Sequence, residues 1–170
     1  MSKNGFSKYH AGIVVTYAVL IPVIFIFAPS VLRFDFPRDY LGIIIAAVAC
    51  AIFAFFYFFG LWRAIFGIFY GVLFAFPEEI IFRGVIQTWL QNHIASTAIA
   101  ILFSSLIFGI AHLPNGAKGF HPKLWNWKFS ALAFLAGLPL GVIFAFTKSL
   151  FVPTLLHVFL VAAMKIQPRL

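Results

Sequence analysis

Long apolar runs separated by short polar gaps divide the chain into six segments. An α-helix needs about 20 apolar residues to cross a bilayer, and backbone polar groups in lipid have to be hydrogen-bonded within their own segment. The pattern therefore predicts an all-α fold, a polytopic transmembrane helical bundle with about six spans. The predicted segments run from Ala11 to Val31, Tyr40 to Trp62, Ala64 to Gln91, Ala95 to Leu113, Phe129 to Phe146, and Leu150 to Met164.

Two of these segments are unusual in length. The third is too long for one straight span and contains Pro77, which removes a backbone donor and tends to break or kink a helix. We therefore expect two helical pieces that meet near Glu78 and Glu79. The last segment is short and starts around Pro153, which predicts a helix that lies partly inside the bundle.

The composition agrees with a membrane protein and with one domain. The chain has 170 residues, of which 64% are hydrophobic and 9% charged, and this is outside the range of soluble domains. We predict a single integral membrane domain over residues 1–170. The one cysteine, Cys50, lies in an apolar run, so neither an intrachain disulfide nor a thiolate zinc site is available.

The net charge of +8 first suggests nucleic acid, but the basic residues fall in the gaps between apolar runs and form no basic helix face or arm. We predict no nucleic-acid partner and interpret these residues as topology signals. Short cytoplasmic loops are rich in lysine and arginine, and a cytoplasmic N-terminus places most of the basic residues on that side. The residues on the cytoplasmic side would be Lys3, Lys8, Arg63, Lys118, Lys123, Lys128, Lys165 and Arg169.

Five ionisable side chains fall inside the predicted spans, and we expect them to share one cavity, because a charge at membrane depth is costly unless it is paired or faces water. They are Glu78, Glu79, Arg83, His112 and His157.

Helical spacing gives the two glutamates different partners. Glu79 and Arg83 are four residues apart, which places them about 40° apart around a helix and allows an ion pair. Glu78 lies about 100° from Glu79 and is left to face elsewhere. Glu78 is therefore the better catalytic candidate. The alternative is that neither glutamate is catalytic and that both only neutralise Arg83 in a buried triad.

The two histidines have different surroundings in the sequence. His112 is near the end of the fourth segment, one turn after Phe108, and His157 is in the middle of the last segment with apolar neighbours. A carboxylate and two imidazoles in one cavity could hold a water that the carboxylate activates as a general base. They could equally bind a divalent metal such as zinc, although no H-E-x-x-H pattern occurs.

Three short motifs, in order, resemble those of the CPBP family of intramembrane proteases, which comprises CAAX proteases and bacteriocin-processing, abortive-infection type proteins. "EEIIFR" resembles the family's EExxxR motif, "FGIAH" its FxxxH motif, and "HVFLV" its closing HxxxN-like motif. The resemblance covers a core of about residues 70–163, which two additional N-terminal spans precede.

The resemblance implies an intramembrane endopeptidase of the glutamic type, with no cofactor expected and with zinc as a possible metal. Glu78 would be the general base, His112 would hold and polarise the water, and His157 would stabilise the oxyanion. Glu79, Arg83 and Phe108 would support them. If a metal is bound, its ligands would be Glu78, His112 and His157. One departure is Val161, where the family usually has asparagine or another polar residue.

The expected partners are the lipid bilayer and a protein or peptide substrate in the membrane. The resemblance suggests the bacterial cytoplasmic membrane, an active site that opens toward the cytoplasm, and a sorting-tag or leader substrate in preference to a prenylated protein. The alternative function is not enzymatic: an immunity, scaffold or proton-linked transport protein of the membrane with a buried Glu/His network.

Overall fold

A computed structural model describes residues 8–35, 60–114 and 125–166, together with the single positions 48, 52 and 56. Within these ranges the protein has five α-helices and no strand, so the all-α fold is confirmed there. The helices are α1 (Lys8–Phe27), α2 (Leu61–His93), α3 (Thr97–Ala111), α4 (Trp127–Thr147) and α5 (Phe151–Ile166), and a short 3₁₀ turn covers Pro29–Val31.

Two of the described helices are long and apolar enough to cross a membrane: α2 with 33 residues and α4 with 21. Shorter apolar helices cover Ala11–Phe27 in α1, Thr97–Ala111 and Phe151–Ile166. Most of the second predicted segment lies outside the described residues, as does Cys50. The count of six spans and the cytoplasmic N-terminus therefore stay predictions.

Helix α2 runs through Pro77 without interruption, and the two expected helical pieces meet directly after Glu79 as a change of helix type and not as a break. Its geometry changes three residues after Pro77: Leu61–Glu79 is α-helical, Ile80–Gln87 is π-helical, and Thr88–His93 is α-helical again. Most residues of the π-helical stretch are buried or partly buried, so packing on several sides holds the helix together. Such π-helical stretches are frequent at functional sites.

Small residues bring α2 and α5 into close contact. A Cβ atom on Gly71 would collide with the backbone carbonyl oxygen of Val158, and one on Gly67 would lie 2.8 Å from the side chain of Ile166. Small residues spaced four apart are a common means of close helix packing in membranes. This contact places His157, the neighbour of Val158, against α2. The inner face of α5 is buried, as expected for the last segment.

Helix α4 is joined to α3 and to α2 by polar side chains. Between α3 and α4, the Ser130 hydroxyl donates to the Gly109 carbonyl at 2.7 Å. From α2, Gln87 Nε2 donates to the Gly141 carbonyl at 2.8 Å and Arg83 Nη2 to the Gly137 carbonyl at 3.0 Å. The buried polar groups of the π-helical stretch thus find acceptors on the backbone of α4.

Candidate active site

A cavity of about 910 Å³ lies between the five helices. Its wall is mainly apolar, with contributions such as Phe74, Phe82 and Leu132. Three of the predicted site residues, Glu78, His112 and His157, also line it. The structure therefore brings together, in one cavity, residues from α2, α5 and the end of α3.

The Glu78 carboxylate faces both histidines with the same oxygen. Glu78 Oε2 is 3.7 Å from His112 Nε2 and 3.6 Å from His157 Nε2. Both distances are too long for direct hydrogen bonds, which measure about 2.7–3.2 Å between the heavy atoms. One carboxylate oxygen thus lies near both ring nitrogens without a direct hydrogen bond to either.

Glu79 is fully buried and has a different set of partners. Its Oε1 atom is 3.2 Å from Arg83 Nη1, and His157 Nδ1 donates a hydrogen bond to the same oxygen at 2.8 Å. The ion pair is the one that the spacing of four residues predicts. The His157 ring lies between this buried pair and the carboxylate of Glu78.

Arg83 is held on three sides. Besides Glu79 and the Gly137 carbonyl, its guanidinium carbon lies 4.6 Å from the centre of the Phe108 ring. A cation over an aromatic face is attracted by the negative potential of the ring. Gly137 permits the approach, since a Cβ atom there would lie 3.2 Å from the Phe108 ring and 3.4 Å from Arg83 Nη2.

Phe108 and His112 are fixed at the end of α3. His112 Nδ1 donates to the Phe108 carbonyl at 2.8 Å, because a carbonyl can only accept. In the neutral ring, the lone pair is then on Nε2, the atom that faces Glu78. The Phe108 ring centre lies 4.4 Å from that of His112 and 5.5 Å from that of His157. One aromatic ring therefore packs against both histidines.

Tyr17 is a site residue that the sequence reasoning missed. Its hydroxyl donates to Glu78 Oε1 at 3.1 Å, and the residue lines the cavity from α1. The only signal in the sequence is a tyrosine within an apolar run, and such a residue has a polar tip that needs a partner when buried.

Val161 lines the cavity with an apolar side chain, so this position offers no hydrogen-bond donor there. Among the described residues, no group of three or more histidine, cysteine, aspartate or glutamate side chains is arranged to hold a metal ion. Glu78 and the two histidines thus do not form a ready metal site as they lie, and the zinc alternative stays a prediction.

Comparison with known proteins assigns the family. The family model described as "Type II CAAX prenyl endopeptidase Rce1-like" matches residues 60–163, a range that contains α2 to α4 and most of α5. No curated protein and no solved structure matched the chain. The matched range includes Glu78, His112 and His157, which line the cavity, and the buried Glu79. Because the match covers more than half of the chain, the protein belongs to the Rce1-like family of type II CAAX prenyl endopeptidases, whose members are membrane-embedded proteases.

Proposed function

We propose that this protein is an intramembrane endopeptidase of the glutamic type that hydrolyses a peptide bond near the terminus of a membrane-associated protein or peptide. The family match supports the class of reaction. The observation that carries the mechanism is the position of Glu78 Oε2, which faces the Nε2 atoms of His112 and His157 in one apolar cavity.

Glu78 is the general base in this mechanism. Its Oε2 atom and the facing nitrogen of His112 are 3.7 Å apart, a separation at which one water molecule can donate a hydrogen bond to each of them. Glu78 takes one proton from the water while the water oxygen bonds to the carbonyl carbon of the substrate. His112 accepts the other hydrogen bond and thereby orients the attacking lone pair.

His157 stabilises the oxyanion of the tetrahedral intermediate. Its Nδ1–H is bound by the buried Glu79, so the ring is fixed, and donation to the oxyanion requires a second proton on Nε2. The carbon–nitrogen bond then breaks, and the leaving amine takes up the proton that Glu78 received from water. The products are a new carboxyl terminus and a new amino terminus, and Glu78 is again ionised.

Glu79, Arg83 and Phe108 are positioning residues in this account. Glu79 and Arg83 form a buried pair that holds the His157 ring from the side opposite the cavity. Phe108 packs against both imidazole rings and under the guanidinium. The three residues fix the geometry of groups that would contact substrate.

We propose that the substrate reaches the site from the membrane, because the cavity wall is mainly apolar. We further propose a six-span protein of the bacterial cytoplasmic membrane, with its N-terminus in the cytoplasm and its site toward that side. Within the family's chemistry, a sorting tag or leader of a bacterial membrane-associated protein is the substrate class that we favour.

Mass spectrometry of membrane proteins tests the function directly. Cells with the wild-type protein and cells with the Glu78→Gln variant are compared for protein termini. We expect at least one terminus that occurs only with the wild type. If no terminus differs although both proteins are inserted in equal amounts, the endopeptidase proposal fails and a non-catalytic membrane scaffold, immunity or transport protein is favoured.

Chelation tests the choice between a free water and a metal-bound one. We expect the purified protein to keep its activity after a strong chelator has removed all bound metal, because the described carboxylate and imidazoles activate water without a metal. Metal content before and after treatment is measured by elemental analysis. Loss of activity on chelation, with recovery when zinc is returned, would favour the metal-dependent mechanism.

A further inference from the structure

We infer that Tyr17 is a positioning residue for the Glu78 carboxylate, supplied by α1 from outside the part of the chain that the family model matches. The inference rests on the proposed role of Glu78 as the general base. The observation that supports it does not depend on that role: the Tyr17 hydroxyl donates to Glu78 Oε1 at 3.1 Å across 61 residues of sequence.

The contact gives the two carboxylate oxygens different environments. Oε1 accepts the hydrogen bond from Tyr17, whereas Oε2 faces His112 and His157. A glutamate carboxylate rotates readily about its terminal torsion, which has broad and roughly two-fold preferences. A donor on one oxygen restricts this rotation, so Tyr17 keeps the other oxygen directed at the two imidazoles.

The strength of the contact comes from charge and surroundings. A hydrogen bond to an ionised carboxylate is roughly twice as strong as one between neutral groups, and it is stronger again where the local dielectric constant is low. Tyr17 and Glu78 lie in a cavity with a mainly apolar wall. The hydroxyl therefore holds the Glu78 carboxylate firmly in this orientation.

The neighbouring residue supplies a matched control. Thr16 is on the same helix and also carries a hydroxyl, but its Oγ1 donates to the Gly12 carbonyl within α1 at 2.9 Å. Tyr17→Phe and Thr16→Val each remove one hydroxyl and keep the shape of the side chain. Only the first change removes a contact to Glu78.

Two measurements on the purified full-length protein in lipid nanodiscs test the inference. The first is the rate at which dicyclohexylcarbodiimide, an apolar reagent for protonated carboxyl groups, labels Glu78, followed by mass spectrometry. The second is the steady-state cleavage of a fluorescence-quenched, membrane-inserted peptide that carries a bacterial C-terminal sorting tag, the substrate class that we favour. Wild type, Tyr17→Phe and Thr16→Val are compared, with the melting temperature of each as a check on folding.

We expect Tyr17→Phe to label at Glu78 at least about tenfold faster than wild type, because a charge-assisted hydrogen bond is lost. We also expect kcat to fall about tenfold with KM unchanged, since the substrate still binds. Thr16→Val should match wild type in both measurements. A purely structural role for Tyr17 would instead lower the melting temperature and leave the labelling rate of the folded protein unchanged.

Equal labelling of Glu78 in wild type and Tyr17→Phe would overturn the inference, whatever the peptide assay shows. The labelling does not depend on any substrate, so it decides the role of Tyr17 even if the wild type does not cleave the peptide. Failure of cleavage by a wild type with normally labelled Glu78 would count against the proposed function and its substrate class. The two failures are therefore distinguishable.

Discussion

Glu78 and Glu79 are adjacent in α2 but have different partners. Glu79 is fully buried, forms an ion pair with Arg83 and accepts a hydrogen bond from His157, whereas Glu78 lines the cavity and accepts a hydrogen bond from Tyr17. One carboxylate therefore lies within the bundle, and the other faces the cavity.

At this scale the two acids should differ in their effect on stability. We expect Glu79→Gln to lower the free energy of unfolding by about 3–5 kcal/mol, because Arg83 is left as a buried charge without an anionic partner. Glu78→Gln is the matched control and should change stability little, since its side chain faces the cavity. Thermal unfolding of both purified variants measures the difference. Equal melting temperatures for Glu79→Gln and wild type would contradict this assignment.

Part of the site follows from sequence spacing and part does not. The ion pair of Glu79 with Arg83 is a local contact, so the helical repeat predicts it. The shared environment of Glu78, His112 and His157 follows from the cost of isolated ionisable groups in a membrane. Tyr17 contacts Glu78 across 61 residues and from another helix, and no periodic pattern in the sequence indicates such a contact.

At the scale of elements, the contact between α2 and α5 determines where His157 lies. Gly71 packs against the backbone of Val158, the residue after His157. Any side chain at position 71 has to move α5 away from α2, because the atom that it would meet is a backbone oxygen. The distance between Glu78 and His157 thus depends on a glycine two turns away on α2.

We expect Gly71→Ala to reduce both the melting temperature and the cleavage rate, since separation of α2 and α5 displaces His157 from Glu78. Overpacking of a close contact costs typically about 1–3 kcal/mol. Gly12→Ala is the control, because a Cβ atom there has no neighbour within 4 Å. Thermal unfolding and the peptide assay compare the two variants. A Gly71→Ala protein with wild-type stability and activity would show that the helices are not held this closely.

Helix positions were easier to predict than helix geometry. The fifth predicted segment, Phe129 to Phe146, agrees within two residues with α4 at Trp127–Thr147, because apolar runs mark helices in lipid. The π-helical stretch Ile80–Gln87 could not be predicted from Pro77. Whether a proline breaks a helix depends on the packing around it, and here α3, α4 and the 3₁₀ turn Pro29–Val31 pack against the π-helical stretch.

At the scale of the whole molecule, the residues that line the cavity extend beyond the part of the chain that the family model matches. The matched residues 60–163 leave out α1. This helix nevertheless supplies Tyr17, whose hydroxyl donates to Glu78, and it forms part of the cavity wall. The proposed site therefore includes a helix that the family model does not match. At the same scale, the sequence also predicts how all the spans are arranged in the membrane.

The six-span arrangement with a cytoplasmic N-terminus places Lys118 and Lys148 on opposite sides of the membrane. To test it, Cys50 is replaced by alanine, and a single cysteine is introduced as Lys118→Cys or Lys148→Cys. A membrane-impermeant maleimide should label the Lys148→Cys protein in intact cells and the Lys118→Cys protein only after permeabilisation. The reverse pattern would invert the topology, and labelling of both from outside would rule out the predicted number of spans between them.

The central claim is that Glu78 activates the water that cleaves a peptide bond. The most direct measurement is the cleavage rate of the reconstituted wild type and of Glu78→Gln on the peptide whose terminus depends on the wild-type protein. We expect Glu78→Gln, although inserted and as stable as the wild type, to lose cleavage, because an amide cannot accept the proton from water. Full cleavage by a folded Glu78→Gln protein would contradict it.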